Sequence, residues 1–262
     1  MQLQPDHIVI NNHNDLAAIG KTFAALGFTL TPESFHTLGS INQLVMFEDH
    51  YLELIGVPGD GRPIRQELLD STRGIDGLVF RTQDAEATEC QLVELGYTVQ
   101  PVQHFSRQVE FDGKWGEARF STTRLKQGSF AAGRVYFCQH HTPELVWREP
   151  WLDHANGVKG IDGLIVVSQQ PQAEQQDWLK LGILPASFHI SVLDPDTFES
   201  WSAGLISPNP GRRSQFLALS FDGGRAEVLI AGARQLSLPW QQVGNRLLIA
   251  LPDVNALLEF KL

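Results

Sequence analysis

Two polar side chains in strand-like apolar segments are the first candidates for chemistry in this sequence. His7 lies in the segment at residues 6–10, and Glu53 stands between two leucines in the segment at 51–55. An ionised carboxylate is costly to bury unless it faces a partner, a cavity or solvent. An imidazole beside a carboxylate forms half of a divalent-metal site, or an acid–base pair. The alternative is a hydrogen-bonded strand histidine and a solvent-facing glutamate at a sheet edge.

The strands that would position these residues belong to a repeated unit. Each copy begins with an aspartate and an apolar strand, continues through a polar turn into a helix, and ends at a Leu-Gly pair. The opening segments lie at residues 6–10, 76–80 and 162–166. This recurrence indicates three related units, and their wide separation excludes a solenoid of stacked repeats. Only the first unit has a histidine after its aspartate, because Gly77 and Gly163 take that place in the others.

Hydrophobic periodicity predicts a βαβββ module for each of the first two units, and hence an α+β fold class. In the first unit, a helix is expected near residues 16–26, with strands at 29–35, 42–47 and 51–57. The third unit is less regular. Its later strands are predicted at 216–221, 227–230, 246–251 and 257–260, and the last two resemble the remains of a fourth unit.

The chain is expected to divide into three parts. Residues 1–145 would form one domain of two modules, residues 146–160 a linker, and residues 161–262 a degenerate second half. The linker prediction rests on an irregular stretch that contains Trp147 and Trp151. These tryptophans are typical of core or dimer contacts, so a homodimer is among the expected assemblies.

Composition excludes several classes of function. A net charge of −10 without a basic run disfavours binding to nucleic acid. No apolar stretch approaches the length that a bilayer requires, and no signal peptide is evident, so we expect a cytoplasmic protein without a membrane partner. Cys90 and Cys138 are predicted to be small buried hydrophobes rather than a disulfide or zinc pair. No dinucleotide fingerprint or phosphate-binding glycine loop occurs, so nucleotide cofactors are unsupported.

Several motifs lie along the first two thirds of the chain. The first is the opening Asp-His-Ile-Val-Ile, and the helix that follows ends in Leu-Gly-Phe-Thr-Leu-Thr-Pro. The other motifs are the runs at 36–42, 51–56 and 137–147. Together these motifs resemble the vicinal oxygen chelate superfamily, and within it the glyoxalase-like domain. The resemblance covers residues 5–170 best and implies paired βαβββ modules that form cupped sheets. Its motifs are specific for the fold and much less specific for the reaction.

The resemblance also implies a set of metal ligands. Metal-using members of the superfamily take ligands from the first and last strands of each module. Carried over, His7 and Glu53 fill the first two positions, and the third falls on Gly77, which offers no side chain. The fourth position falls near Gln139, so a site would need His140 or His141 as a substitute. Such a set of two histidines and one carboxylate suits divalent iron, manganese, zinc or nickel.

Strand alternation places Gln139 and His141 on one face and His140 on the other, and it leaves open which face meets the cup. The remaining candidates for substrate binding are His36 and Asn42, beside a Gly-Ser loop, and Arg124, which could neutralise an anionic substrate. The alternatives for these three are a polar turn and a surface ion pair.

The resemblance implies two alternative functions. One is a metal-dependent lyase, isomerase or dioxygenase that acts on a small carbonyl or diol compound, with Glu53 moving a proton. The alternative is a small-molecule binding protein without catalysis, like the superfamily's antibiotic-sequestering members. The second reading fits Gly77 and Gln139 better.

Overall fold

The first two repeat units supply eight strands and three helices. The computed structural model describes residues 1–111 and 113–262. The elements of these units are β1 (Pro5–Asn11), α1 (Leu16–Ala25), β2 (Ser34–His36), β3 (Ser40–Met46), β4 (Tyr51–Gly56), α2 (Gln66–Asp70), β5 (Gly74–Arg81), α3 (Ala85–Glu94), β6 (Val99–Phe111), β7 (Lys114–Leu125) and β8 (Arg134–His140). The predicted α+β class and its βαβββ modules are confirmed.

These eight strands close into a barrel in the order β1, β4, β3, β2, β6, β7, β8 and β5. The two modules meet along β1 and β5, which pair antiparallel. Within each module the first and last strands run parallel, β1 beside β4 and β5 beside β8. On the other side, β2 meets β6 at the pair formed by His36 and Arg107. Two modules therefore enclose one interior.

The rest of the chain forms an open sheet beside the barrel. Its elements are β9 (Gly160–Ser168), α4 (Pro171–Leu181), β10 (His189–Leu193), α5 (Pro195–Trp201), β11 (Ser214–Asp222), α6 (Ala226–Gln235), β12 (Trp240–Val243), β13 (Arg246–Leu251) and β14 (Ala256–Lys261). Short 3₁₀ helices lie at Pro143–Leu145, Glu149–Trp151 and Pro252–Val254. The sheet order is β10, β9, β11, β14, β13 and β12.

The strand predicted at 227–230 is wrong, because these residues lie in α6. Short apolar runs do not distinguish a strand from a buried helix face. Here Leu229 and Ala233 are buried at helical spacing. As a result β11, α6 and the three strands after it make a complete βαβββ unit. The third unit is the truncated one, since β10 alone follows α4 in its sheet.

Alternation along each barrel strand separates two apolar layers. On β1, Ile8 and Ile10 point outward into a core that continues into the second half, where Phe28 packs against Phe221 and Phe260. Val9, between them, points into the barrel. The same alternation selects which polar side chains reach the interior.

The two cysteines differ in exposure. Cys138 is buried on the inner face of β8, as predicted, whereas Cys90 is exposed. The burial predicted for Cys90 is wrong, because it lies on α3 outside the face that buries Leu92 and Thr88. Among the described helices, none combines the length and apolar character that a membrane span requires.

Candidate functional site

The barrel interior contains a narrow cavity of about 30 Å³. Apolar side chains form part of its wall, including Leu44, Ile55, Phe105 and Phe120. Its titratable side chains include His7, His36, Glu53, Arg65, Arg107 and Arg124. An apolar pocket with a few converging polar groups is the usual form of a small-molecule site.

The structure brings His7 and Glu53 together inside this cavity. His7 shares the inward face of β1 with Val9, and Glu53 lies opposite Val9 on β4. The Nε2 atom of His7 is 3.9 Å from Oε2 of Glu53. Both residues are buried, and the His7 ring stacks on Tyr51 with the ring centroids 4.4 Å apart.

Asp6 fixes the orientation of His7. This carboxylate is fully buried, and its Oδ2 accepts from His7 Nδ1 at 2.7 Å and from His140 Nε2 at 2.8 Å. Its Oδ1 accepts from Arg81 Nε at 2.9 Å. Burial opposes ionisation, but the charges and hydrogen bonds of the two histidines outweigh it and hold the pKa of Asp6 well below its usual range. Because a carboxylate only accepts, His7 carries a proton on Nδ1, and its Nε2 atom faces Glu53 in the cavity.

A second chain of hydrogen bonds holds Glu53 in place. Asn42 donates from Nδ2 to Glu53 Oε1 at 2.7 Å, and the same amide lies 3.3 Å from His36 Nε2. Burial lowers the pKa of His36 to about 4, so its ring is neutral and Nε2 accepts. Burial opposes the ionisation of Glu53, but His7, the Asn42 amide and Arg107 lower its pKa, and the carboxylate is ionised. Asn42 Oδ1 is buried without a donor among the described residues.

Arg107 is the cation that sequence reasoning missed. Its guanidinium is only 4% exposed and donates from Nη1 to Ser34 Oγ at 3.0 Å. In the described part of the chain, no carboxylate lies within salt-bridge distance of Arg107; burial lowers its pKa, and the charge of Glu53 in the same cavity partly opposes that shift. No sequence signal separated Arg107 from the other arginines of the chain, which more often form surface ion pairs. Arg124, which was predicted, also lines the cavity.

Two predicted substrate-binding residues lie outside the cavity, which corrects that part of the prediction. Gln139 donates to the Gln83 carbonyl and accepts from the Ala85 amide, and His141 Nε2 lies 2.7 Å from Ser121 Oγ. Alternation is the reason, since Cys138 faces the interior and the residue after it must face outward.

The structure does not assemble the predicted metal set of His7, Glu53 and His140. The Nε2 atom of His140 donates to Asp6, and this imidazole lines a separate pocket beside Arg81 and Trp147. His140 is therefore joined to His7 through a carboxylate rather than through a shared ion.

Strand register identifies the fourth ligand position differently from the sequence. In the ladder of β1 and β4, Glu53 lies two residues beyond the partner of His7. In the ladder of β5 and β8, the residue two beyond the partner of Gly77 is Tyr136, not Gln139. The four equivalent positions therefore hold an imidazole, a carboxylate, no side chain and a phenol.

This donor set does not fit a divalent metal. Burial raises the pKa of Tyr136 far above its usual value, so the phenol stays protonated and is a poor ligand. A different group, Asp6, Cys138 and His140, places its donor atoms within 4.8 Å of one another. In that group, Asp6 already accepts from both histidines, and burial raises the pKa of the Cys138 thiol. We therefore assign no chemical step to a metal.

The second half carries a copy of the glutamate without the histidine. Glu259 lies opposite Leu248 on β13, as Glu53 lies opposite Leu44 on β3. The corresponding register position for His7 on β11 is held by Ala218. This half thus lacks the imidazole that would complete the pair.

The space around Glu259 in the second half is also closed to ligands. Arg246 takes the place that Asn42 has in the first unit, and it forms a salt bridge with Glu259. Phe198 of α5 is fully buried against the inner face of the sheet, beside Trp201. An ion pair and a packed helix therefore occupy the space that is a cavity in the barrel.

A barrel of paired βαβββ modules with this strand order defines the fold of the vicinal oxygen chelate superfamily. Residues 6–182 match the model of the glyoxalase-like domain, and the chain belongs to that family. No curated protein sequence matches the chain.

Solved structures share the fold across almost the whole chain. A hypothetical protein from Staphylococcus aureus is 16% identical, with 98% of each chain covered and a TM-score of 0.67. A mutant of 4-hydroxymandelate synthase from Streptomyces coelicolor is 11% identical, with 98% of this chain and 92% of that one covered and a TM-score of 0.55.

A fusion of a xylose isomerase-like TIM barrel and 4-hydroxyphenylpyruvate dioxygenase is 10% identical, with a TM-score of 0.56. The alignment covers 98% of this chain but 48% of the fusion protein, so the chain spans about half of its length. At these identities, all three likenesses concern the fold alone.

Proposed function

We propose that the barrel binds a small organic acid with an apolar body, and that His7 exchanges a proton with it while the neighbouring Glu53 stabilises the protonated His7. Arg107 carries this proposal. A buried cation without a direct salt bridge is costly, and the acid group of a ligand would supply the hydrogen-bonded counter-charge that Glu53 does not. Phe105 and Phe120 line the same cavity and suit an apolar or aromatic body.

An unpaired acceptor in the cavity supports a hydrogen-bond donor, either O–H or N–H, on the ligand. Asn42 Oδ1 is a buried acceptor without a partner among the described residues, and Asn42 lines the cavity. A hydroxyl or N–H group on the ligand would satisfy it. A hydroxy acid, or the enol form of a keto acid, has both an anion for Arg107 and a donor for Asn42.

The acid–base step rests on the arrangement around His7. Asp6 holds the Nδ1 proton, so Nε2 can remove a proton from the carbon beside the ligand's carbonyl. The ionised Glu53, 3.9 Å away, stabilises the imidazolium that results. The proton then returns from His7 to the ligand oxygen or carbon, which interconverts keto and enol forms.

Of the predicted lyase, isomerase and dioxygenase activities, this proposal keeps the isomerase. A metal-dependent lyase or dioxygenase would need a third donor beside His7 and Glu53. The second candidate is binding without catalysis, and the observation that favours it is Gly77, which leaves the ligand position of β5 without a side chain.

Calorimetry with phenylacetate and phenylacetamide tests the binding. The two compounds share the phenylmethyl body, and phenylacetamide has a neutral amide in place of the carboxylate. The wild type is expected to bind phenylacetate, and Arg107→Met to bind it at least about tenfold more weakly, the usual value of a hydrogen-bonded charge. Arg62→Met, at an exposed arginine paired with Asp60, is the control. Equal binding of both compounds, or full affinity in Arg107→Met, would show that the acid group is not recognised.

Proton exchange on phenylpyruvate separates the enzyme from the binding protein. In D₂O the wild type is expected to accelerate exchange of the proton next to the carbonyl, and His7→Gln to lose this acceleration while still binding phenylacetate. Binding without acceleration in the wild type would favour the non-catalytic alternative.

A further inference from the structure

Glu67, on the short helix α2, neutralises arginines that face the barrel cavity. Its Oε2 accepts from Arg65 Nη2 at 3.0 Å and lies 3.3 Å from Arg124 Nη1. Its Oε1 lies 3.9 Å from Arg134 Nη1. Arg134 also binds Asp76 at 2.6 Å, so it has a carboxylate partner of its own. Arg65 and Arg124 pair with Glu67 alone in the described part of the chain.

This ion cluster stands between two cavities. One is the barrel cavity, which Arg65 lines. The other is a cleft of about 240 Å³, lined by Glu67 and, from the second half, by Arg212. Arg124 and Tyr136 line both spaces. The cluster therefore forms the partition between the cleft and the barrel.

The charges of the cluster favour exchange of one anion for another. Arg65 and Arg124 are mostly buried, with 16% and 17% of their side chains exposed, whereas 36% of Glu67 is exposed. Glu67 can turn toward the cleft and regain water, but the two arginines would then be left buried without a counter-charge. An acid group arriving from the cleft can replace Glu67 without that cost.

The helix itself need not move during this exchange. Leu68, the next residue, is fully buried in the apolar layer inside the barrel, and Asn11 Nδ2 donates to its carbonyl at 2.7 Å. These contacts hold the α2 backbone in place. A rotation of the Glu67 side chain is sufficient to release the arginines.

We propose that ligands reach the barrel from the cleft by displacing Glu67 from Arg65 and Arg124, and that Glu67 competes with an acid group bound at Arg107 for the positive charge of these two arginines, which line the same cavity. The proposal rests on the proposed function, because it assumes an acidic ligand in the barrel. It makes Glu67 a determinant of affinity and selectivity: a neutral compound gains nothing at the arginines and leaves Glu67 in place.

Glu67→Gln and Asp70→Asn test this inference as a matched pair. Both residues lie on α2 and line the cleft, but Asp70 accepts from Gln66 and pairs with none of the cluster arginines in the described chain. At low ionic strength, calorimetry is expected to show phenylacetate binding about fivefold more tightly to Glu67→Gln than to wild type. Asp70→Asn is expected to stay within about twofold of wild type. Phenylacetamide should respond to neither change.

Two further results keep the inference separate from the proposed function. Glu67→Asp retains the charge on a shorter side chain, and its affinity should lie between those of wild type and Glu67→Gln. If wild type binds phenylacetate through Arg107 but Glu67→Gln binds it no more tightly, the competitor role is wrong and the proposed function stands. If neither wild type nor Glu67→Gln binds phenylacetate, both are wrong.

Discussion

His36 gives the site a dependence on pH that can be calculated. Its ring is held neutral inside the barrel, where burial lowers its pKa from 6.5 to about 4. Glu53 opposes this shift, and Arg107 and Arg65 add to it. Between these two values the unfolded chain binds more protons than the folded protein. Stability from this group is therefore complete above pH 6.5 and decreases as the pH falls toward 4.

The size of the effect follows from the same two values. Between pH 8 and pH 5, a shift from 6.5 to about 4 removes about 2 kcal/mol of folding free energy. Partial exposure of the ring to solvent reduces this to about 1–2 kcal/mol. The replacement His36→Gln keeps a polar side chain that does not titrate. Between pH 8 and pH 5, this variant should therefore lose about 1–2 kcal/mol less folding free energy than the wild type.

Urea unfolding at pH 8 and pH 5 measures the difference. His154, whose pKa burial also lowers, is present in both proteins and cancels from the comparison. A wild type and a His36→Gln variant that lose the same free energy between pH 8 and pH 5 would refute the neutral, buried histidine. The hydrogen bond from Asn42 to a neutral ring would then need another explanation.

Three further predictions concern the supporting structure. Asp6→Asn removes a fully buried charge with three donors and should cost about 3–5 kcal/mol in urea unfolding, whereas Asp162→Asn, in a partly exposed pair, should cost about 1 kcal/mol or less. Equal costs would contradict the role of Asp6. Gly232→Ala would place a methyl group 2.1 Å from a backbone oxygen of α1 and should cost about 2–3 kcal/mol, against about 0.5 kcal/mol or less for the open Gly59→Ala. A tolerated Gly232→Ala would disprove the close contact of α1 and α6. Mn²⁺ should change the melting temperature equally little in wild type and His7→Gln, and selective stabilisation of the wild type would contradict the donor-set argument.

The sequence was sufficient to predict the fold of the barrel, because each repeat is recognisable from its aspartate, its helix and its Leu-Gly pair. It was also sufficient for His7 and Glu53, since a polar residue inside an apolar strand stands out. Alternation then correctly placed His140 on the opposite face from Gln139 and His141. Alternation alone could not predict which face of the strand points inward, because that depends on how the barrel closes.

The residues that sequence reasoning overlooked depend on contacts between distant segments. The aspartate recurs at the start of each repeat, so its presence did not mark Asp6 as part of a site, yet only in the first copy does it hold histidines. Arg107 reaches the cavity from β6, which meets β2 at a single residue pair. Glu67 lies in the connection between the two modules, where no periodicity marks a function.

In the second half, the same βαβββ module lacks the residues that complete the site. The fourth unit keeps the glutamate at the position of Glu53, but an arginine replaces the amide donor and an alanine replaces the histidine. A short apolar run was interpreted as a strand because length and period did not distinguish it from a helix. The complete module became visible only from the pairing of β11 with β14.

A crystal structure of the protein soaked with phenylacetate tests the central claim most directly. We expect the carboxylate within hydrogen-bond distance of the Arg107 guanidinium, with the ring against Phe105 and Phe120. Phenylacetate ordered only outside the barrel, or inside it with the carboxylate turned away from Arg107, would contradict the account.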